Sequence, residues 1–183
     1  MDRKTQTHFD NIHSEDRQVQ NEAFTYLLKV TEKPVDWAYD VWDELLADLQ
    51  HKDNHVRAIA AQVLCNLAKS DPQSRMLKDL DKLVAVTKDE RFVTARHCMQ
   101  ALWKIGVLGQ KQQKLYLEKL TARFRECAAE KNCTLIRFDI QQSLRTVYDM
   151  TKNEDIREQA LALIETEPDL KYGKKYATVW RHK

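Results

Sequence analysis

The stretch Asp53-Asn54-His55-Val56-Arg57-Ala58-Ile59-Ala60-Ala61-Gln62-Val63-Leu64-Cys65-Asn66-Leu67-Ala68 decides how this chain is read. Val56, Ala60, Leu64 and Leu67 fall on one side of a helix, and Asp53-Asn54 supplies capping side chains just ahead of it. Comparing the chain with itself repeats this stripe. A shift of 37 residues toward the N-terminus gives Val19, Ala23, Leu27 and Val30. A shift of 38 the other way gives Thr94, Cys98, Leu102 and Ile105, and one of 80 gives Ile136, Ile140, Leu144 and Val147, with Arg57 recurring as Arg137. The repeat lengths are 37, 38 and 42 residues, each enough for two helices and two turns. A last echo, Ile156-Arg157 with Ala160 and Ile164, follows about 20 residues later, one helix rather than a pair.

The composition agrees. In 183 residues Gly and Pro occur three times each, against averages of roughly 7% and 5%. So few cannot furnish the turns of a β-sandwich, a dinucleotide fingerprint or a phosphate-binding loop. Charged residues reach 32%, which suits solvated helices. The chain is expected to be all-α, with about eight helices joined by short turns. Breaks are expected at Pro34, Asp53-Asn54, Ser70-Asp71-Pro72, Asp89, Gly106 to Gly109, Lys131-Asn132, Asn153 and Pro168. The net charge of +2 exerts no strong pull toward nucleic acid or membrane. Apolar runs of four or five residues exclude a membrane span, and the polar start Met1-Asp2-Arg3-Lys4-Thr5 lacks a signal-peptide core. Cys65 and Cys98 sit in apolar helical patterns as small hydrophobes, so a reduced, cytoplasmic protein is expected.

Asp53-Asn54-His55-Val56-Arg57-Ala58 resembles the start of the second helix of a HEAT repeat, whose signature is Asp, two variable residues, Val-Arg, then Ala. Arg57 and Arg137 match the signature Arg. The first copy has Gln20 at that position, and the third has Ala95, with Arg96 one residue late. The resemblance spans roughly residues 15 to 166. It implies an α-α superhelix (α-solenoid) of about four HEAT-like helix pairs, with the second helices lining a concave face. It also implies that the signature Arg holds repeats together by pairing with an Asp of a neighbouring turn, Asp53 or Asp89. The expected organisation is an N-terminal segment (1–14), a repeat domain (15–167) and a basic, aromatic C-terminal cap or tail (168–183).

In such a scaffold each repeat contributes the same helix positions to one surface. Beside the apolar stripe, Gln62 aligns with Thr25, Gln100 and Gln142. Asn66 aligns with Lys29, Lys104 and Thr146, Cys65 with Leu28, Trp103 and Arg145, and Ala58 with Asn21, Arg96 and Phe138. The partner-binding surface is therefore assigned to Gln62, Asn66, Arg96, Gln100, Trp103, Lys104, Gln142 and Arg145. A Trp beside Arg and Lys suits a peptide groove as well as base stacking with phosphate pairing. It also suits simple packing of Trp103 on the next repeat. After Asp169 come Lys171, Lys174, Lys175, Arg181 and Lys183, with Tyr172, Tyr176 and Trp180 at helical spacing. These form either a phosphate-gripping element or a helix capping the last repeat.

Catalytic patterns are scarce. His51 and His55 flank a helix boundary, Cys127 and Cys133 lack zinc-knuckle spacing, and neighbouring His97 and Cys98 point about 100° apart on a helix. No catalytic residue, cofactor or metal ligand is assigned. The leading expectation is a monomeric, non-enzymatic scaffold binding a protein or peptide on its concave face. The alternative is a nucleic-acid-binding protein resembling HEAT-like DNA alkylation-repair glycosylases, with Trp103, Arg96, Arg145 and Asp149 or Asp139 in the groove. A third class, the phycobilisome HEAT-like lyases or chaperones that bind a tetrapyrrole, rests on the repeat alone.

Overall fold

The structure, a computed structural model, describes residues 1–181; Lys183, counted above in the basic C-terminal segment, lies outside them. The chain is 77% helical, with eleven α-helices and no strand among the described residues. The helices fall into two compact units, Met1–Ala101 and Leu102 onward.

The first unit is three helical hairpins. α1 (Arg3–Asp10) pairs with α2 (Arg17–Val30), α3 (Ala38–Asp48) with α4 (Asn54–Leu67), and α5 (Met76–Val86) with α6 (Phe92–Ala101). α4 also touches α2 and α6, so the second helices of successive hairpins are neighbours. Local sequence explains where helices begin. Asp16 accepts the N–H groups of Gln18 and Val19, and Asp53 accepts that of His55; such caps contribute about 1 kcal/mol each. The stripe Val56, Ala60, Leu64 and Leu67 is buried.

Arginines bind the second helices α2 and α4 to a following turn. Arg57 pairs with Asp89 and Arg17 with Asp53, the latter at 2.7 Å. Gln20, which stands at the signature Arg position, instead turns inward and donates to the Ile12 carbonyl at 2.7 Å. The guanidinium that its position lacks comes from Arg17, one helical turn earlier, which also donates to the side-chain Oε1 of Gln20.

The second unit holds α7 (Trp103–Gly106), α8 (Gln110–Glu126), α9 (Cys133–Thr151), α10 (Glu154–Glu165) and α11 (Leu170–Ala177). α9 is central, packing against the other four helices. Its stripe Ile136, Ile140, Leu144 and Val147 is buried. Arg137 pairs with Glu167 at 2.7 Å and donates from Nε to the Phe124 carbonyl at 3.0 Å. The helix expected to run from Thr94 through Ile105 is not continuous. α6 ends at Ala101, and the Ile105 N–H bonds to the Leu102 carbonyl three residues back.

Candidate partner-binding face

On α4 the assigned face is mostly interior. Ala58, Cys65 and Asn66 are all buried. The repeat register places Asn66 on the partner surface, but its Nδ2 donates to the Leu28 carbonyl at 3.2 Å and to Thr31 Oγ1 at 3.0 Å. It joins α4 to α2 and faces no solvent. The reason is geometric. α4 has neighbours in α2, α3, α5 and α6, so a second, small-residue stripe is covered as well as the large apolar one. Gln62 stays half-buried, with its amide donating to the Ala58 carbonyl one turn back at 3.0 Å.

α6 carries the accessible part of the assigned face in the first unit. Val93, Arg96, His97 and Gln100 recur at helical spacing along it. His97 and Gln100 are exposed, Arg96 is half-buried, and Val93 keeps 64% of its surface open. Val93 and His97 escaped the sequence assignment because it followed repeat-equivalent positions only.

In the second unit Trp103 is half-buried, with the Lys104 ammonium 6.0 Å from its ring centre. Gln142 on α9 is exposed. Arg145 is already engaged: its Nε donates to Asp149 at 2.8 Å and its Nη1 to the Val179 carbonyl at 2.8 Å. The C-terminal segment thus lies on the face of α9 assigned to a partner. Trp180 Nε1 donates to Gln141 Oε1 at 2.8 Å, and the Lys175 ammonium sits 5.0 Å from the Phe138 ring centre. Tyr176 is buried, stands edge-on to Phe124 and donates to the Thr134 carbonyl at 3.2 Å. Burial raises its phenol well above the ordinary range.

The groove roles suggested by alkylation-repair enzymes do not fit these placements. Asp139 is buried, and Asp149 is bonded to the very arginine it would work beside. His51 Nδ1 accepts the Asp53 N–H and so belongs to the turn before α4. Among the described residues, no three His, Cys, Asp or Glu side chains converge as a metal site would need. An open groove of about 540 Å³ between α8 and α10 was not read from the sequence. Leu117, Thr121 and Ala122 line it and Lys114, Arg125, Glu118 and Glu158 rim it. Its residues lie outside the repeat register that guided the assignment.

No family model matches the chain, and no curated protein sequence matches it. Among solved structures it is similar to an engineered protein from the Northeast Structural Genomics Consortium, at 14% identity and a TM-score of 0.52, covering 98% of this chain and 95% of that one. A second engineered protein from the same consortium aligns at 14% identity and a TM-score of 0.48, over 98% of this chain and 57% of that one. The first likeness extends to the all-helical fold alone.

Proposed function

We propose that the protein is a non-enzymatic, HEAT-like helical scaffold that binds an extended peptide segment of a protein partner on the faces of its second helices. The observation that carries this reading is the seating of segment 170–181 on α9. There a guanidinium donates to a backbone carbonyl and a glutamine accepts an indole N–H. Main-chain hydrogen bonds combined with an aromatic anchor are the ordinary means of peptide recognition. α6 offers related chemistry in the first unit, with Arg96 and Gln100 at the repeat positions of Phe138 and Gln142 and with Val93 open beside them. A mixed apolar, amide and cationic strip suits a peptide better than a phosphate backbone, which rewards a dense row of cations.

The test is peptide display against the folded protein, followed by titration of enriched peptides into wild type and a His97→Ala, Gln100→Ala variant. The expected result is a binding loss of about tenfold or more, the effect of removing about 1.4 kcal/mol of contact. A control substitution at Lys78, exposed on α5, leaves binding unchanged. Equal affinity in wild type and the α6 variant overturns the assignment of that face. Micromolar binding of a labelled DNA or RNA duplex that weakens steeply with salt supports the nucleic-acid alternative instead.

A further inference from the structure

Cys127 and Cys133 bring their sulfur atoms within 3.1 Å of each other. Cys127 opens the 3₁₀ turn Cys127–Ala129 that follows α8, and Cys133 is the first residue of α9. Their spacing in the sequence is not that of a zinc knuckle, and a break at Lys131-Asn132 separates them. The intervening turn reverses the chain, and Glu130 fixes it by gripping the buried Arg123 through both carboxylate oxygens, at 2.6 and 2.8 Å. Bonded sulfurs lie about 2.05 Å apart, so closure asks for a movement of about 1 Å. The other two cysteines differ: Cys65 and Cys98 are fully buried in the helices of the first unit.

The two sulfurs are not equivalent. Cys127 is wholly buried and its Sγ contacts the Phe124 carbonyl oxygen at 3.3 Å, whereas Cys133 is partly open to solvent. Burial, with the adjacent Cys133 sulfur, pushes the Cys127 thiol up to about 12. The guanidinium groups of Arg137 and Arg123 oppose that rise. Positive charge beside a thiol pair, with one sulfur accessible, is the setting of a reactive dithiol.

We propose that Cys127 and Cys133 form a reversible redox site, closed to an intramolecular disulfide by a small disulfide such as oxidised glutathione. Cys133, having lost its proton to solvent, attacks one sulfur of the oxidant and releases one glutathione thiolate. A mixed disulfide on Cys133 results. The Cys127 sulfur then gives its proton to solvent, attacks the Cys133 sulfur and expels the second glutathione thiolate. Two protein thiols are oxidised and one glutathione disulfide is reduced to two thiols, so atoms and electrons balance. The new bond fastens the end of α8 to the start of α9.

The experiment equilibrates the full chain in glutathione redox buffers, quenches with acid, unfolds it in denaturant, alkylates free thiols and maps the protein by mass. Trypsin cuts after Arg125, Lys131 and Arg137, so closure appears as peptides 126–131 and 132–137 joined by a disulfide. Two of the four cysteines are expected to escape alkylation without keeping an adduct, and reduced glutathione restores them. Cys127→Ser, which lacks the resolving sulfur, is expected to hold a glutathione on Cys133. Circular dichroism establishes that it is folded, and the wild-type map stands independently of it. Full alkylation of all four cysteines at every buffer ratio, a mixed disulfide as the wild-type end product, or a crosslink elsewhere overturns the proposal.

Discussion

Arg57 holds Asp89 by two parallel hydrogen bonds, Nε to Oδ2 at 2.6 Å and Nη2 to Oδ1 at 2.9 Å, while its Nη1 donates to the His51 carbonyl at 2.8 Å. One side chain thereby ties the turn before α4 to the turn before α6. Both partners are mostly out of solvent, with side-chain exposures of 12% and 6%. Removing either member leaves the other charge poorly compensated, so Arg57→Ala or Asp89→Ala is expected to cost about 3 kcal/mol. Arg57→Lys keeps the charge but loses the fork and recovers only part of it. A double-mutant cycle by urea unfolding checks the pair. Additive losses from the two single changes would show that the contact contributes no coupling.

The legibility of this structure divides along the same line. The apolar stripes are periodic, and periodicity survives in a single sequence: Val56, Ala60, Leu64 and Leu67 lie inside as their spacing requires. The outward faces were harder to read, because what covers them comes from elsewhere in the chain. Nothing near Asn66 announces that Thr31 and Leu28 will take its amide. Likewise nothing near Arg145 announces that Val179, thirty-four positions on, will take its guanidinium. The substitution of Gln20 by Arg17 as bearer of the first guanidinium also lay beyond the pattern, since a long flexible side chain can reach the same acid from one turn away.

Asn66 provides a direct comparison between a surface role and a structural one. Asn66→Ala removes both donors and leaves the Thr31 hydroxyl and the Leu28 carbonyl without that partner in the interior. The expected loss is about 1–3 kcal/mol in unfolding free energy. Denaturant melts of the variant measure it, and an unchanged midpoint would mean that solvent or a neighbour satisfies those groups.

Gly106 sits where a side chain has no room. A Cβ there would come within 2.8 Å of both Tyr116 Cδ1 and Val147 Cγ2. Tyr116 is itself pinned by a 2.7 Å hydrogen bond to Ser143 in the interior, so it cannot swing aside cheaply. Gly106→Ala is expected to destabilise by about 1–3 kcal/mol, the usual cost of overpacking. A melting temperature equal to wild type would indicate that α7 and α9 separate more easily than their packing implies.

Lys152 ends α9 with φ 54° and ψ 28°, in the left-handed region, while its N–H bonds to the Tyr148 carbonyl at 2.7 Å. Glycine adopts that conformation without a Cβ penalty and is the usual residue at such a helix stop. Lys152→Gly is therefore expected to raise stability by about 0.5–1 kcal/mol, because relief of backbone strain outweighs the greater freedom of the unfolded glycine. The exposed Asp149 pair lost with the lysine, 3.9 Å long, contributes little in water. A lower urea midpoint than wild type would contradict this account.

Asp53, Asp79 and Asp89 contribute to the response to acid. Burial pushes Asp53, Asp79 and Asp89 upward, but hydrogen bonds prevail and hold each below its ordinary 3.8. The donors are Arg17 and the His55 N–H for Asp53, Lys82 and the Trp42 indole for Asp79, and Arg57 and the Arg91 N–H for Asp89. A folded value below the unfolded one means that the folded state binds fewer protons. The stabilisation is complete above about pH 4 and is lost as pH falls through the folded values. These groups therefore add no slope between pH 7 and 5, and a steep one below about pH 4. Asp89→Asn is expected to be less stable than wild type at pH 7 and to lose less on acidification, so the two urea-midpoint curves draw together as pH falls below about 4. Parallel curves would show that Asp89 carries the same proton affinity folded and unfolded.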